Sequence, residues 1–278
     1  MIWRWIIRRK SRPVSASSSP RSGREHAGLG IDYAVLSTKG GQRESNEDSF
    51  GVFPGDPLTL SGKKGRLFIL ADGMGGHTSG KEASEAAVKI ILGNYFTNPQ
   101  EGNLECLQQA FRKANARIFE ISKKRDSEQI MGTTCSALIV AGKMAQIAHV
   151  GDSRIYRISG GRMEQLTQDH TEVLDLVKAG LMNKEQAENY PRLHALNRAL
   201  GVESEVNIDT RPDVPLKRGD CFVLCTDGLA LVAPDEIKNI VQTSSAQQAS
   251  EKLIELSQQL DGGDNATVIV VKLTDEIP

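Results

Sequence analysis

Four aspartates of this sequence each stand at the end of an apolar, strand-like run and beside a glycine. They are Asp72, Asp152, Asp227 and Asp264. At such a position a carboxylate and nearby backbone carbonyls can approach the same ligand, because glycine lets the chain come close. A single Asp-Gly pair is more typical of an ordinary turn. Four carboxylates brought together repel one another unless a cation neutralises them, so the pattern indicates a metal site.

The chemistry of these side chains indicates which ions the site would hold. Oxygen ligands without a cluster of imidazoles or thiolates favour hard cations, Mg²⁺ or Mn²⁺, over zinc. Two such ions about 4 Å apart can share a water, lower its pKa and direct it at phosphorus. The pattern therefore points to metal-assisted hydrolysis of a phosphate ester.

A charged segment upstream, residues 43–49, supplies groups that suit a phosphate. The Arg43 guanidinium can hold two phosphate oxygens at once. Glu47 and Asp48 can orient waters bound to a metal without touching the ion themselves. Taken alone, the segment is more typical of a charged, solvated surface loop.

A competing motif lies close by. Residues 75–81 match the G-x-x-x-x-G-K pattern of a phosphate-binding loop between a strand and a helix. Asp227 could then serve as the acidic partner that such a site needs for Mg²⁺. The match fails at Glu82, where serine or threonine should follow, because a carboxylate there would repel phosphate. A nucleotide hydrolase of this type also leaves Asp72 without a role, so it is the weaker alternative.

Short strand-like runs and paired helical segments must position these residues. Strands are predicted at 33–37, 49–53, 66–71, 133–140, 145–150, 154–158, 206–210, 220–226 and 266–273, and helices at 81–95, 104–123, 172–179, 183–189, 234–241 and 246–260. Residues 141–143 and 159–162 join neighbouring strands at hairpin distance, which indicates antiparallel pairing. Strand runs with helices grouped in pairs predict an α+β fold of antiparallel sheets covered by helices, and not a doubly wound parallel sheet.

Composition and charge narrow the class of protein. With 278 residues, 39% of them hydrophobic and 25% charged, the chain suits one large globular domain or at most two small ones. Its net charge of -1 argues against a nucleic-acid-binding protein. The four cysteines form no C-x-x-C pair, which favours a reducing compartment, and hence the cytoplasm, over a zinc or disulfide framework. No apolar run approaches the roughly 18–20 residues that span a bilayer.

Residues 1–30 differ from the remainder and are predicted to form a basic, largely disordered tail. Residues 1–28 carry seven basic side chains and one acidic one, whereas residues 29–278 carry 27 basic and 34 acidic ones. A Ser/Pro/Arg stretch at 12–24 is typical of disorder. Trp3 and Trp5 precede basic residues, which suits peripheral contact of residues 1–10 with a membrane, or docking to a partner. A tail with no role is an equally good interpretation.

Taken together, the motifs resemble those of the metal-dependent protein phosphatases of type 2C, in their bacterial form. They are R-x-x-N-E-D-S at 43–49, A-D-G-M-G-G-H at 71–77, M-G-T-T at 131–134, V-G-D-S-R at 150–154, L-T-Q-D-H at 166–170, R-A-L-G at 198–201, T-D-G-L at 226–229 and G-D-N-A-T at 263–267. Eight matches in family order, covering residues 31–274, make the resemblance specific.

The resemblance implies a fold and a set of metal ligands. The fold would be a sandwich of two antiparallel β-sheets flanked by helix pairs, in four layers ordered α/β/β/α. Asp72 would bridge two metal ions, and the Gly73 carbonyl would bind one of them. Asp227 and Asp264 would hold the second ion, and Asp152 would belong to a weaker third site.

The resemblance also implies in-line attack by a bridging hydroxide, with Arg43 binding the substrate phosphate and no phosphoenzyme intermediate. Two departures from the family pattern matter. Met74 stands where some relatives carry the histidine proposed to protonate the leaving group, which makes His77 the candidate acid. A histidine there with no chemical role is an equally good interpretation. Ala230 and Leu231 stand where many relatives have a further acid, which weakens the third metal site.

We therefore predict a catalytic domain over residues 31–278, with a substrate-selecting flap at residues 169–197. The expected activity is that of a protein serine/threonine phosphatase acting on targets of a serine/threonine kinase, with two Mn²⁺ or Mg²⁺ ions per site. The alternative is a regulatory pseudophosphatase that binds a partner without turnover. The complete set of core ligands argues against that alternative.

Overall fold

The computed structural model describes eleven strands, six α-helices and a short 3-10 helix (Asp227–Leu229) within residues 30–53, 64–75, 78–97, 102–125, 130–193, 195–260 and 262–275. The strands are β1 (Gly30–Thr38), β2 (Asp48–Phe53), β3 (Arg66–Met74), β4 (Gly132–Thr133), β5 (Cys135–Ala141), β6 (Met144–Val150), β7 (Arg154–Ser159), β8 (Arg162–Gln165), β9 (Asp209–Pro215), β10 (Cys221–Cys225) and β11 (Ala266–Thr274). The helices are α1 (Thr78–Tyr95), α2 (Asn103–Lys123), α3 (Glu172–Lys178), α4 (Lys184–Glu188), α5 (Pro234–Thr243) and α6 (Ala246–Leu260).

The strands pair antiparallel in two sheets. One sheet has the strand order β1-β11-β10-β7-β8, and the other has the order β2-β3-β5-β6-β9 with the short β4 beside β3. The β7–β8 hairpin turns at Gly160 and Gly161, whose φ angles of 55° and 79° suit a type I′ turn. The predicted antiparallel pairing is confirmed.

Three apolar layers hold the sandwich together, and the alternation along β3 shows how. Leu67 and Ile69 pack in the layer beneath α1 and α2, whereas Phe68 and Leu70 pack between the two sheets. Successive side chains of a strand point to opposite faces, so an unbroken apolar run marks a strand covered on both sides. A third layer joins α5 and α6 to the other sheet. The predicted α/β/β/α sandwich is confirmed.

The strand predicted at 206–210 is displaced, since β9 runs over Asp209–Pro215. It contains Pro212 and lies at the edge of its sheet, where a residue without an N–H is tolerated. A register shift accommodates it, because the two-residue step from Ala145 to Ile147 of β6 faces the three-residue step from Val214 to Arg211 of β9. Because β9 contains Pro212 and Pro215, which are rare in strands, the sequence pattern did not predict its correct range.

The basic tail predicted at the start of the chain lies outside the described residues, apart from Gly30. Within the described ranges, no helix combines the length and apolar character needed to cross a membrane.

Candidate active site

The four predicted aspartates meet at one edge of the sandwich. Asp72 lies near the end of β3 and Asp152 follows β6, whereas Asp227 follows β10 and Asp264 precedes β11. All four line one cavity of about 610 Å³. Because β3 and β6 belong to one sheet and β10 and β11 to the other, the cavity lies where the tips of both sheets come together.

Four further residues singled out from the sequence also lie at this edge. Arg43, Glu47 and Gly73 line the same cavity. Asp48 is buried beside the cavity, and in the register of strands β2 and β3 it lies opposite Asp72. His77, the candidate acid, lies outside the described residues.

Burial and neighbouring carboxylates raise the pKa of two of these aspartates, Asp72 and Asp152. Burial is the largest cause that raises the pKa of Asp72 well above its ordinary value, followed by the charges of Asp48, Asp227 and Asp152. The Asp72 and Asp227 side chains lie within hydrogen-bonding reach. Burial, followed by Asp227 and Asp169, raises the pKa of Asp152 to about 7. Such crowding of negative charge is relieved by a bound cation.

Asp48 is held by hydroxyl groups from the other sheet. Thr226 Oγ1 donates to Asp48 Oδ2 at 3.0 Å, and Thr267 Oγ1 donates to the same oxygen at 2.6 Å. Burial nevertheless raises the pKa of Asp48 to about 7. Its second oxygen, Oδ1, is buried and accepts no hydrogen bond. A buried, unpartnered carboxylate oxygen suits a metal-bound water, which would donate to it.

Arg43 supplies the positive charge of the site. Its Nη2 donates to Asp264 Oδ2 at 2.7 Å. This hydrogen bond is the largest cause that raises the pKa of Arg43 above its ordinary value. Both side chains remain partly exposed, at 52% for the arginine and 37% for the aspartate. The guanidinium can therefore meet an incoming anion at the cavity.

The donor set fits a divalent cation by charge and by chemistry. The observations that support this are the mutual repulsion of the buried carboxylates and the unpartnered Asp48 oxygen. In the observed conformation, no three acidic, histidine or cysteine side chains of the described residues converge on one metal position. Asp264 instead accepts a hydrogen bond from Arg43, so the guanidinium is bound to one of the carboxylate oxygens that a cation would use.

Two threonines fix the backbone of Asp72. Thr133 Oγ1 donates to the Asp72 carbonyl oxygen at 2.8 Å. Thr134 donates its backbone N–H to that oxygen at 2.8 Å, and Thr134 Oγ1 accepts from the Asp72 N–H at 2.9 Å. The M-G-T-T segment thus supports the site by holding the backbone of Asp72.

Two glycines permit a close approach of backbones beneath the cavity. A Cβ at Gly73 would lie 2.1 Å from the carbonyl oxygen of Gly80, and a Cβ at Gly80 would lie 2.1 Å from Glu47 Oε2. The start of α1 therefore packs directly against the end of β3. Any larger side chain at either position would push this helix away from the site.

Asn265 is a supporting residue that the sequence reasoning left without a role. Its Nδ2 donates to the carbonyl oxygens of Lys39 and Ser45 at 2.9 and 3.0 Å, and its Oδ1 accepts from the Glu47 N–H at 2.8 Å. One buried amide thereby anchors the segment that carries Arg43. The only signal in the sequence was its place in the G-D-N-A-T motif.

The residues of the competing nucleotide-binding motif are placed differently from what that function needs. Lys81 Nζ lies on α1, 4.0 Å from Glu85 Oε1, and its side chain is 52% exposed. Glu82 forms an ion pair with Arg125. Lys81 is not among the residues that line the cavity with Asp227. The geometry of the described residues at this motif, 75 and 78–81, gives no support to a phosphate-binding loop.

Comparisons with known proteins agree with the geometry. A family model described as protein phosphatase 2C matches residues 42–262. The serine/threonine phosphatase stp of Listeria innocua is 36% identical over 240 residues, which cover 84% of this chain and 92% of that protein.

Solved structures of a mycobacterial phosphatase share the fold. The serine/threonine phosphatase PstP/Ppp of Mycobacterium tuberculosis superposes with a TM-score of 0.76 at 34% identity, covering 88% of this chain and 99% of that one. The catalytic domain of PstP in complex with two manganese ions superposes with a TM-score of 0.73 at 34% identity, covering 89% and 100%.

Proposed function

Because the chain belongs to the protein phosphatase 2C family and is a serine/threonine protein phosphatase, we propose that it hydrolyses phosphoserine and phosphothreonine at a site built for two divalent metal ions. The observation that carries the proposal is the single cavity lined by four aspartates and one arginine. Its substrates are phosphoproteins, and we propose that they are targets of a serine/threonine kinase. We place this activity in the cytoplasm.

The proposed ligand set follows the placement of the carboxylates. Asp72 would bridge two Mn²⁺ or Mg²⁺ ions, and the Gly73 carbonyl would bind one of them. Asp227 and Asp264 would hold the second ion, and Asp152 would belong to a weaker third site. The two manganese ions in the related PstP domain support this number and type of ion. When bound, the ions would supply an activated water and neutralise phosphate charge.

The chain's own residues would bind and orient the phosphate. Arg43 would turn its guanidinium from Asp264 to two phosphate oxygens, since a planar fork of N–H groups matches them. Asp48 would accept a hydrogen bond from a water through its unpartnered oxygen, and Glu47 would help to orient waters at the cavity wall. The support of Asp72 by two threonines would keep its carboxylate in place during turnover.

The departing serine or threonine oxygen needs a proton, and we propose His77 as its source. This assignment rests on the sequence alone.

The test is hydrolysis of p-nitrophenyl phosphate and of a phosphothreonine peptide by the purified protein, with Mn²⁺ and with a chelator. We expect turnover of both substrates with Mn²⁺ and none with the chelator. Turnover that survives complete chelation would refute the metal-dependent mechanism. Binding of the phosphopeptide without any hydrolysis would instead support the regulatory pseudophosphatase.

A further inference from the structure

A second cavity, of about 340 Å³, lies between the flap and the end of the β7–β10 sheet. We call it the flap cavity. Leu174 and Val177 of α3, Ala187 of α4 and Leu193 line it on one side. Leu231, from the segment that follows Asp227, lines it on the other. The part of the flap wall formed by α3, α4 and Leu193 is aliphatic, and the polar flap residues Asp169 and Thr171 lie at its start.

The flap cavity adjoins the candidate active site. Asp152, Asp227, Ala230 and Leu231 line both cavities. A polypeptide whose phosphorylated residue lies among the aspartates can therefore place a neighbouring side chain under the flap. Leu231, at this shared boundary, is 64% exposed. An apolar side chain bound there would cover part of its surface and remove it from water, which is favourable.

The polar groups of the flap cavity largely satisfy one another. Arg154 donates through Nε to both Asp169 oxygens at 3.1 and 3.0 Å, and through Nη2 to one of them at 2.7 Å. Its Nη1 donates to Tyr156 Oη at 3.2 Å. The guanidinium charge is thus neutralised by a bidentate partner, so the cavity offers an anion little attraction. The chemistry that it suits is that of an apolar side chain.

We propose that the flap cavity is a specificity subsite that receives one apolar side chain of the phosphoprotein substrate, close in sequence to the phosphorylated residue. The inference rests on the proposed function of the adjoining site. The volume of the flap cavity lies at the lower end of the roughly 300–1,000 Å³ of small-molecule pockets, which leaves room for one large side chain. The subsite adds affinity only for substrates that carry such a residue, and so it selects among phosphoproteins.

The experiment compares phosphothreonine peptides that carry leucine, phenylalanine, serine or aspartate at each position near the phosphorylated residue. Burying one aliphatic or aromatic side chain should raise kcat/KM by about ten- to a hundredfold at one position, relative to serine. The wild-type protein is expected to hydrolyse p-nitrophenyl phosphate, which carries no neighbouring residue, whatever the peptide preference.

Two variants change the flap cavity in different ways. Leu174→Asp makes its wall polar, and Ala187→Phe fills it. Both are expected to abolish the peptide preference and to keep the wild-type rate on p-nitrophenyl phosphate. Leu181→Asp is the matched control, because Leu181 lies in the flap, is 75% exposed and does not line the flap cavity. It should retain the preference in full.

Three outcomes would overturn the inference. The first is equal kcat/KM for apolar and polar peptides at every position while p-nitrophenyl phosphate is hydrolysed. The second is a preference that survives Ala187→Phe in a folded variant. The third is an equal loss of rate on peptides and p-nitrophenyl phosphate in both variants, since that indicates damage to catalysis. A wild-type protein inactive on every substrate overturns the proposed function, and the inference falls with it.

Discussion

Replacing Arg43 by alanine should have opposite effects on phosphate and on metal. On the phosphate side, a charge-assisted, bidentate contact contributes on the order of 1.5–3 kcal/mol, which corresponds to a roughly ten- to hundredfold loss in kcat/KM. The loss should appear mainly as a higher KM, because the proposed role of the arginine is to hold ground-state phosphate.

On the metal side, the same substitution should tighten binding. Arg43 donates to Asp264, a proposed metal ligand, and a cation must displace it. Both side chains are substantially exposed, so the ion pair contributes only about 0.2–1 kcal/mol. Its removal should lower the Kd for Mn²⁺ by up to about fivefold. Since most mutations near a site weaken it, a gain in metal affinity is a distinctive outcome.

Isothermal titration with Mn²⁺ and steady-state kinetics on a phosphopeptide measure the two effects separately. Arg43→Lys is the matched control, because it keeps the positive charge but not the planar fork. It should recover the wild-type Kd for Mn²⁺ more fully than the wild-type KM. Unchanged kinetics in Arg43→Ala would show that Arg43 does not bind the substrate phosphate and is an ordinary solvated loop residue. Weaker Mn²⁺ binding would refute the competition between guanidinium and metal.

Three further predictions test the site and the tail. Asp72→Ala and Asp264→Asn should each abolish Mn²⁺-dependent hydrolysis, because each removes a proposed metal ligand. Both variants should keep a cooperative thermal transition, because removal of a carboxylate relieves repulsion. Near-wild-type turnover in a folded variant would contradict the ligand assignment. In the metal-free protein, burial raises the pKa of Asp152 from 3.8 to about 7, so folding stability should fall as pH rises between those values. The rise in Tm caused by Mn²⁺ should therefore be larger at about pH 7.5 than at about pH 5.5, and an equal rise would show that these carboxylates do not control it. The full-length protein should cosediment with anionic liposomes in a salt-sensitive manner, whereas a protein that begins at Gly30 should not; equal, negligible pelleting of both would leave the tail without a membrane role.

The sequence predicted those features that depend on local chemistry. An apolar run that ends in Asp-Gly indicates a strand and its tip without knowledge of the rest of the chain, and Asp72 and Asp227 were located in this way. The alternation that buries Leu67 on one face and Phe68 on the other is equally local.

The features that escaped prediction depend on contacts between distant segments. Arg43 and Asp264 are 221 positions apart, and the residues around them do not predict that they form an ion pair. The threonine hydroxyls that hold Asp48 are comparably remote in sequence. The flap cavity exists only because α3 and α4 are set apart from the end of β10, which no periodicity describes.

The position of the site at the junction of the two sheets also bears on the motion of the sandwich. Asp48 and Asp72 lie at the tips of β2 and β3, and Asp227 and Asp264 flank β10 and β11. A bound ion would link the strand ends of the two sheets. The sheets could then separate at this edge only if the metal were released. Amide hydrogen exchange at the four strand ends should then slow together when Mn²⁺ binds, and exchange that slows in one sheet alone would contradict this coupling. Without its divalent ions, the protein should open more often at this edge, and its open states should then be cleaved more readily by proteases.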